Sequence, residues 1–223
     1  TGGTGSKVRP VVSCKGTTCQ YGLIDTFQLS QKLHDLFYIG YHDVVLPHKF
    51  KLAVGGCPNN CVKPNLNDLG IVGQRIPEIN MAKCRGCQVC QIEKTCPIGA
   101  AKLIDGKLQI DADLCNHCGR CVSKCPFKAI EESTYGYKVT IGGRWGKKVA
   151  EGKPLSRIFT SEEEVLALVE RAILFYRDEG ITGERFADTI ARLGFDYVED
   201  KLLNGSIDKD SILKKTVVGG AKC

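Results

Sequence analysis

Two kinds of hydrophobic spacing alternate along this chain. "DTFQLSQKLHDLFYIG" carries apolar positions at helical spacing, which predicts a helix near 26–38 with Asp25 or Thr26 as its cap and Gly40 past its end. "SEEEVLALVERAILFYRDEG" opens with the capping-box pair Ser161 and Glu164 and stops before Gly180. Its stripe of Val165, Leu168, Val169, Ala172, Ile173 and Tyr176 marks one helix face as core. Thr182 is placed as the cap of a last helix ending at Gly194. Short apolar runs near 9–13, 48–54, 68–73 and 137–142 read as strands between these helices. The pattern predicts an α+β fold, a sheet with helices packed on one face, interrupted by a cysteine-rich insert.

That insert dominates the chemistry. The chain has thirteen cysteines in 223 residues, an odd number in tightly spaced runs, which argues against a disulfide framework and for metal. "CRGCQVCQIEKTCP" gives Cys84, Cys87, Cys90 and Cys96, and "CNHCGRCVSKCP" gives Cys115, Cys118, Cys121 and Cys125, each run ending in Cys-Pro. This internal repeat is the two-cluster ferredoxin pattern, in which three thiolates of one run and the last cysteine of the other hold each [4Fe-4S] cluster. The expected sets are Cys84, Cys87, Cys90 and Cys125, and Cys115, Cys118, Cys121 and Cys96. The first run has five residues before its last cysteine where the bacterial pattern has three, which reads as a loop insertion. Zinc is the bland competitor, but it favours two knuckles of two ligands over two triplets with trailing Cys-Pro. Saturated clusters carry electrons and bind no substrate, so another part of the chain must use those electrons.

The opening stretch supplies it. "SCKGTTCQYG" carries Cys14 and Cys19, and "GGCPNNC" carries Cys57 and Cys61 in a turn where Gly55, Gly56 and Pro58 forbid a helix. Four thiolates in two pairs suit a third [4Fe-4S] cluster. Cys223, at the extreme end, is left without a role.

"VRPVVSCKGTTCQYGLIDT", "LPHKFKLAVGGCPNNC" and "LNDLGIVG" together resemble the sirohaem-dependent nitrite and sulfite reductases, and the insert after them resembles the anaerobic sulfite reductases within that family. "YKVTIGGRWGKK" and "GERFADTIARLG" extend the resemblance over nearly the whole chain, with the family's amino-terminal half missing. The resemblance implies a sirohaem whose iron is bridged to the third cluster by the thiolate that matches Cys61. A glycine-rich turn lets backbone and sulfur approach such a group without obstruction. It also implies that Lys49 and Lys51, which alternate on a strand and share a face, bind the substrate anion together with Arg9. The family's first pair is commonly separated by five residues, whereas four lie between Cys14 and Cys19. The implied reaction is six-electron reduction of sulfite to sulfide, with ammonia-forming nitrite reduction and a sirohaem-free iron–sulfur electron carrier as alternatives. The implied partners are an iron–sulfur protein and a flavoprotein that draws electrons from a nicotinamide. Family members with two repeats of the domain take cluster cysteines from one and the Lys-x-Lys pair from the other. This chain carries both sets in one repeat, so a two-fold homodimer is expected.

Composition adds limits. No apolar stretch approaches the roughly 20 residues of a membrane span. The chain opens on Thr1 with no signal peptide, so a processed or truncated piece of a longer cytoplasmic polypeptide is expected. The net charge of +6 comes without a basic helix or an interleaved aromatic platform, which argues against nucleic acid. Sirohaem is rich in carboxylates and thiolate clusters are anionic, so Arg144 and Lys147 in "GGRWGKK" are candidates to meet the carboxylates. His42 and His48 carry no motif and read as surface histidines. The expected organisation is residues 1–80 for the sirohaem and cluster part, 81–130 for the insert, 131–215 for completion of the reductase domain and 216–223 for a tail.

Overall fold

Every apolar position of the long helical stripe is buried, and that stripe sets the core. A computed structural model describes residues 3–206 of the chain; Cys223 and the 216–223 tail lie outside the described residues. In chain order the elements are β1 (Val12–Ser13), α1 (Thr26–Leu33), β2 (Leu52–Gly55), β3 (Leu69–Pro77), α2 (Gln91–Thr95), β4 (Ala101–Ile104), β5 (Lys107–Ile110), β6 (Ser133–Ile141), β7 (Lys153–Phe159), α3 (Glu162–Glu179), α4 (Phe186–Leu193) and α5 (Phe195–Asn204). The main sheet has the order β1-β2-β3-β6-β7, parallel across β1, β2 and β3 and antiparallel across β3, β6 and β7.

One face of that sheet carries the core. Leu52, Val54, Leu69, Ile71, Val139, Ile141, Leu155 and Phe159 alternate with residues of the other face, as the strand period of two requires. They pack against Leu29 and Leu33 of α1, the full α3 stripe, Phe186 and Ile190 of α4, and Val198 and Leu202 of α5. The expected α+β fold with helices on one face is what the chain forms. Ser161 accepts the Glu164 backbone N–H at the start of α3, and Asp25 accepts that of Gln28 at the start of α1. After Leu33 the first helix widens into a π-helical turn, His34–Ile39, closed by Gly40 donating to the Asp35 carbonyl at 3.0 Å.

The local differences have physical causes. The strand expected over 48–54 pairs as a strand only over Leu52–Gly55. Upstream of it the Lys49 N–H donates to His48 Nδ1 and the Lys51 N–H to Asp68, and only an isolated parallel bridge of Phe50 to Val8 continues the pairing. The helix that ends at Gly194 starts at Phe186, not beside Thr182, because the Arg185 N–H is taken by the Asp188 carboxylate, 3.2 Å away. It is followed by α5 and is not the last. The sequence pattern predicts neither β7 nor α5.

β3 and β6 hold one register throughout, from Leu69 opposite Ile141 to Pro77 opposite Ser133. Residues between these strands therefore leave the sheet and return to it as an excursion from a single hairpin. The excursion contains α2, the β4–β5 hairpin and its own small core of Cys84, Ile92, Ala101, Leu108, Val122, Ala129 and Ile130.

Candidate metal centres and anion site

In the insert, the fold gathers the cysteines of the two runs crosswise. Cys84, Cys87, Cys90 and Cys125 line one cavity of about 130 Å³. Cys96, Cys115, Cys118 and Cys121 line another. Burial pushes the Cys121 thiol up to about 11, and Cys115, Cys118 and Cys96 add to the push by repulsion. Each quartet is thus three cysteines of one run and the last of the other, the grouping expected from the repeat.

Backbone amides aim at these sulfurs. The Gly86 N–H leads in holding the Cys84 thiol below its usual value, helped by Leu108 and Lys107 against burial. Burial pushes Cys96 up, but N–H groups from Ala101, Ile98, Ala100 and Gly99 outweigh it and leave the thiol low. Amide donors to sulfur are what anionic thiolates of an iron–sulfur cluster require. The repeat extends to the backbone: the residue before the second cysteine of each run is left-handed, with φ +64° at Gly86 and +53° at His117. Among the described residues no three His, Cys, Asp or Glu side chains converge tightly enough for a single metal ion. The donor set fits [4Fe-4S] clusters in both places.

The third quartet is built from two glycine-lined loops that meet backbone to backbone. A Cβ on Gly16 would stand 2.8 Å from the Gly56 Cα, and one on Gly56 would stand 2.7 Å from the Gly16 Cα. Only glycine allows this contact. It lets the Gly56 N–H donate to Cys14 Sγ at 3.1 Å. Burial raises the Cys57 thiol, and Cys61, Cys14 and Cys19 raise it further, so the four sulfurs lie within electrostatic reach of one another. Cys14, Cys19 and Cys57 are half-buried, whereas Cys61 is exposed. The turn that carries Cys61 is irregular, with Asn60 and Lys63 both left-handed at φ +57° and +49°. Four convergent thiols with one facing outward fit a cluster that shares a ligand with a second group.

A basic face precedes the parallel strands β1 and β2, at the end opposite to the one the quartet's cysteines follow. The Arg9 N–H donates to the Phe50 carbonyl at 2.8 Å, which fastens the first segment along the Lys-x-Lys stretch. Phe50 is fully buried, so Lys49 and Lys51 stand together on the opposite face, both half-buried. Burial, then the charges of Arg185, Lys51 and Arg9, hold the Lys49 ammonium below the ordinary lysine value. Burial, Arg185, Lys49, Arg9 and Arg144 similarly lower His48. Six basic side chains thus crowd one region. The Nε–H groups of Arg9 and Arg185 are buried without a protein acceptor, and donors of this kind are satisfied by water or by a ligand.

Three residues of this region, the acidic Asp68 together with Arg185 and His48, are given no role by the sequence pattern. Asp68 is fully buried and accepts the Lys51 N–H at 2.9 Å and two bonds from Arg185 Nη2 at 2.9 and 2.7 Å. Burial pushes its carboxyl up, and Arg185 opposes. His48 stands among the basic residues and is half-buried, where the sequence suggests a surface histidine. Of the two "GGRWGKK" candidates, Arg144 is already paired with Asp188, at 2.7 and 2.9 Å, while Lys147 is exposed.

The insert docks beside the third quartet. The Arg75 N–H, on β3 beyond the end of β2, donates to the His117 carbonyl at 2.8 Å. A cleft of about 360 Å³ is lined by Cys57 on one side and Cys118 on the other, with Tyr21, Arg75 and Arg120 between.

A sheet carrying two glycine loops, four thiols and a basic face is the architecture of an iron–sulfur redox domain. Residues 4–205 match the nitrite and sulphite reductase 4Fe-4S domain, and the chain belongs to that family. It is 33% identical over 198 residues to the coenzyme F420-dependent sulfite reductase of Methanocaldococcus jannaschii, across 87% of this chain and 31% of that protein. It is 30% identical over 175 residues to one of the subunits of the anaerobic sulfite reductase of Salmonella typhimurium, across 76% of this chain and 50% of that polypeptide. The chain therefore spans half or less of these relatives' length. The crystal structure of dissimilatory sulfite reductase I shares the fold over 98% of this chain and 57% of its own, with a TM-score of 0.64 and 22% identity. No helix among the described residues is long and apolar enough to cross a membrane.

Proposed function

We propose that this chain is the catalytic component of a sulfite reductase, reducing sulfite to sulfide in six one-electron steps. The observation that carries the reading is the exposed Cys61 of an otherwise half-buried thiol quartet, in a chain that also presents the basic face of Arg9, Lys49 and Lys51. Sirohaem, when bound, supplies the iron at which sulfite is reduced, and the clusters deliver electrons to it singly. Cys14, Cys19, Cys57 and Cys61 would hold the [4Fe-4S] cluster coupled to sirohaem, and Cys61, the exposed one of the four, would be the ligand shared with it. Cys84, Cys87, Cys90 and Cys125 hold a second cluster, and Cys96, Cys115, Cys118 and Cys121 a third. The cleft lined by both Cys57 and Cys118 supports the cluster of Cys118 as the immediate donor to the cluster of Cys57.

Lys49, Lys51 and Arg9 neutralise the sulfite dianion and hold it, and the lysines provide protons as its oxygens leave as water. Exposed Lys147 is free to meet a macrocycle carboxylate. Arg144 can do so only by sharing its guanidinium with Asp188. An iron–sulfur protein and a flavoprotein supply the electrons, and two copies of the chain assemble about a two-fold axis, the basic face of each serving the other's cluster.

Turnover decides the reading. Anaerobically purified protein, supplied with a reduced low-potential dye, should oxidise about six dye equivalents for each sulfite and release sulfide. Faster turnover of nitrite to ammonia would reassign the substrate, and dye oxidation with neither anion would leave an electron carrier.

A further inference from the structure

The basic face contains an apparent contradiction. A region that must attract a dianion has a buried carboxylate, Asp68, directly beneath Lys51, and a carboxylate there should weaken the pull. It has a clear task in the backbone. Lys51 precedes β2, its N–H has no strand partner, and the Asp68 carboxylate accepts it at 2.9 Å. The adjacent Lys51 carbonyl accepts the Leu69 N–H at 3.1 Å, so Lys51 is held on both sides by the 68–69 segment. The same carboxylate receives Arg185 from the far end of the chain, 117 positions away, and this guanidinium belongs to a residue only 7% exposed.

Buried ion pairs are poor sources of stability, because desolvation of both ions offsets their attraction and an apolar pair of equal volume often does as well. Their presence in a core asks for another reason. We propose that Asp68 and Arg185 form a neutral clamp: Asp68 fastens the Lys51 backbone and thereby the face on which Lys49 and Lys51 stand, and Arg185 cancels the carboxylate so that the basic face keeps its full attraction for an oxyanion. Both are positioning residues for the anion site. The N–H of Arg185 also binds Asp188, which pairs with Arg144, so the clamp continues into a second neutral pair at the start of α4. Positive charge is thereby left uncancelled at Arg9, Lys49 and Lys51. The electrostatics agree with this placement, since Arg185 lowers Lys49 and Asp68 raises it.

The inference rests on the anion-binding reading above, and its test separates the two. Sulfite is titrated calorimetrically into the full, anaerobically purified protein at low ionic strength, at a temperature where all variants are folded. Asp68→Asn keeps an acceptor for the Lys51 N–H but removes a negative charge, so sulfite should bind about threefold to tenfold more tightly. Arg185→Met leaves the carboxylate uncompensated, so binding should weaken by at least about tenfold, while Arg185→Lys should stay within about twofold of wild type. Both charge-removing variants should melt at lower temperature. A merely structural pair would move affinity downward in both, and that result, or unchanged affinity in both, would overturn the clamp. If Asp68→Asn does not fold, equal affinities of Arg185→Met and Arg185→Lys would do the same.

If the wild type binds no sulfite, the functional reading fails and the clamp is judged on Lys49 alone. The titration of its side chain, followed by ¹³C NMR, reports the field of Arg9, His48, Lys51, Asp68 and Arg185 together. Asp68→Asn should move that titration to lower pH and Arg185→Met to higher pH. Movement in one direction, or none, would overturn the clamp independently of any substrate.

Discussion

Arg75 donates its backbone N–H to the His117 carbonyl at 2.8 Å, and its side chain lies so close to Gly119 that a Cβ there would stand 2.6 Å from Cδ. Gly119 is also left-handed, at φ +68°, which a β-branched residue adopts only under strain. This contact seats the second cysteine run against the main sheet. Gly119→Val should unseat it while the insert keeps its own small core. Hydrogen exchange at the Arg75 amide should rise by at least about tenfold. Unchanged protection would mean that the insert is fastened elsewhere.

Cys61 is the exposed member of its quartet. Cys61→Ser should remove the link to the macrocycle and the cluster beside it, while the two clusters of the insert persist. Iron analysis with electron paramagnetic resonance on the reduced protein checks this, and full sulfite reduction by the variant would refute the bridging assignment.

Lys49→Ala and Lys51→Ala should each leave sirohaem bound and cut sulfite turnover by at least about a hundredfold, as expected for loss of a charge that acts in the transition state. The pH dependence has a definite sign. Lys49 is held below the ordinary lysine value by burial and by Arg185, Lys51 and Arg9, so it loses its proton, and with it the attraction for sulfite, at a lower pH than an exposed lysine would. Sulfite affinity should fall on the alkaline side through that lowered value, and Lys49→Arg should shift the fall to higher pH. An alkaline limb identical in wild type and Lys49→Arg would remove Lys49 from the site.

Much of this architecture is legible along the chain, and the exceptions share a cause. The α3 stripe and its Ser161 cap are local patterns, and local physics forms them. The cysteine repeat is legible because cluster geometry imposes its spacing on the sequence itself. β7 escapes because only Leu155 and Phe159 are buried among exposed neighbours, and Pro154 argues against a strand unless it lies at a sheet edge, where β7 does lie. α5 escapes because Gly194 ends α4 and begins α5 with no capping side chain between. Asp68 and Arg185 carry no motif. Their pairing across 117 positions exists only after the sheet and α4 have packed, so no window of sequence contains it. The basic face is half legible: alternation puts Lys49 and Lys51 together, but the other neighbours that lower Lys49, Arg9 and Arg185, come from two distant segments.

A shared active site gives a sharper test of assembly. Co-expression of Cys61→Ala protein with Lys49→Ala/Lys51→Ala protein, each inactive alone, should restore activity if the lysines of one protomer serve the cluster of the other. Random pairing makes about half the dimers mixed, each with one intact site of two, so about a quarter of wild-type activity should return. Zero recovery with mixed dimers demonstrably present would place the lysines and cysteines of a working site in one chain.

The most direct measurement is the absorption spectrum of the anaerobically purified protein together with its iron content. Three cysteine quartets and one macrocycle predict about thirteen irons per chain and a red absorption band from sirohaem, alongside the broad iron–sulfur envelope. Cys61→Ser should lose the red band's coupling to the neighbouring cluster and about four irons. A wild-type chain with about eight irons and no red band would contradict the account, leaving a two-cluster electron carrier in place of a sulfite reductase.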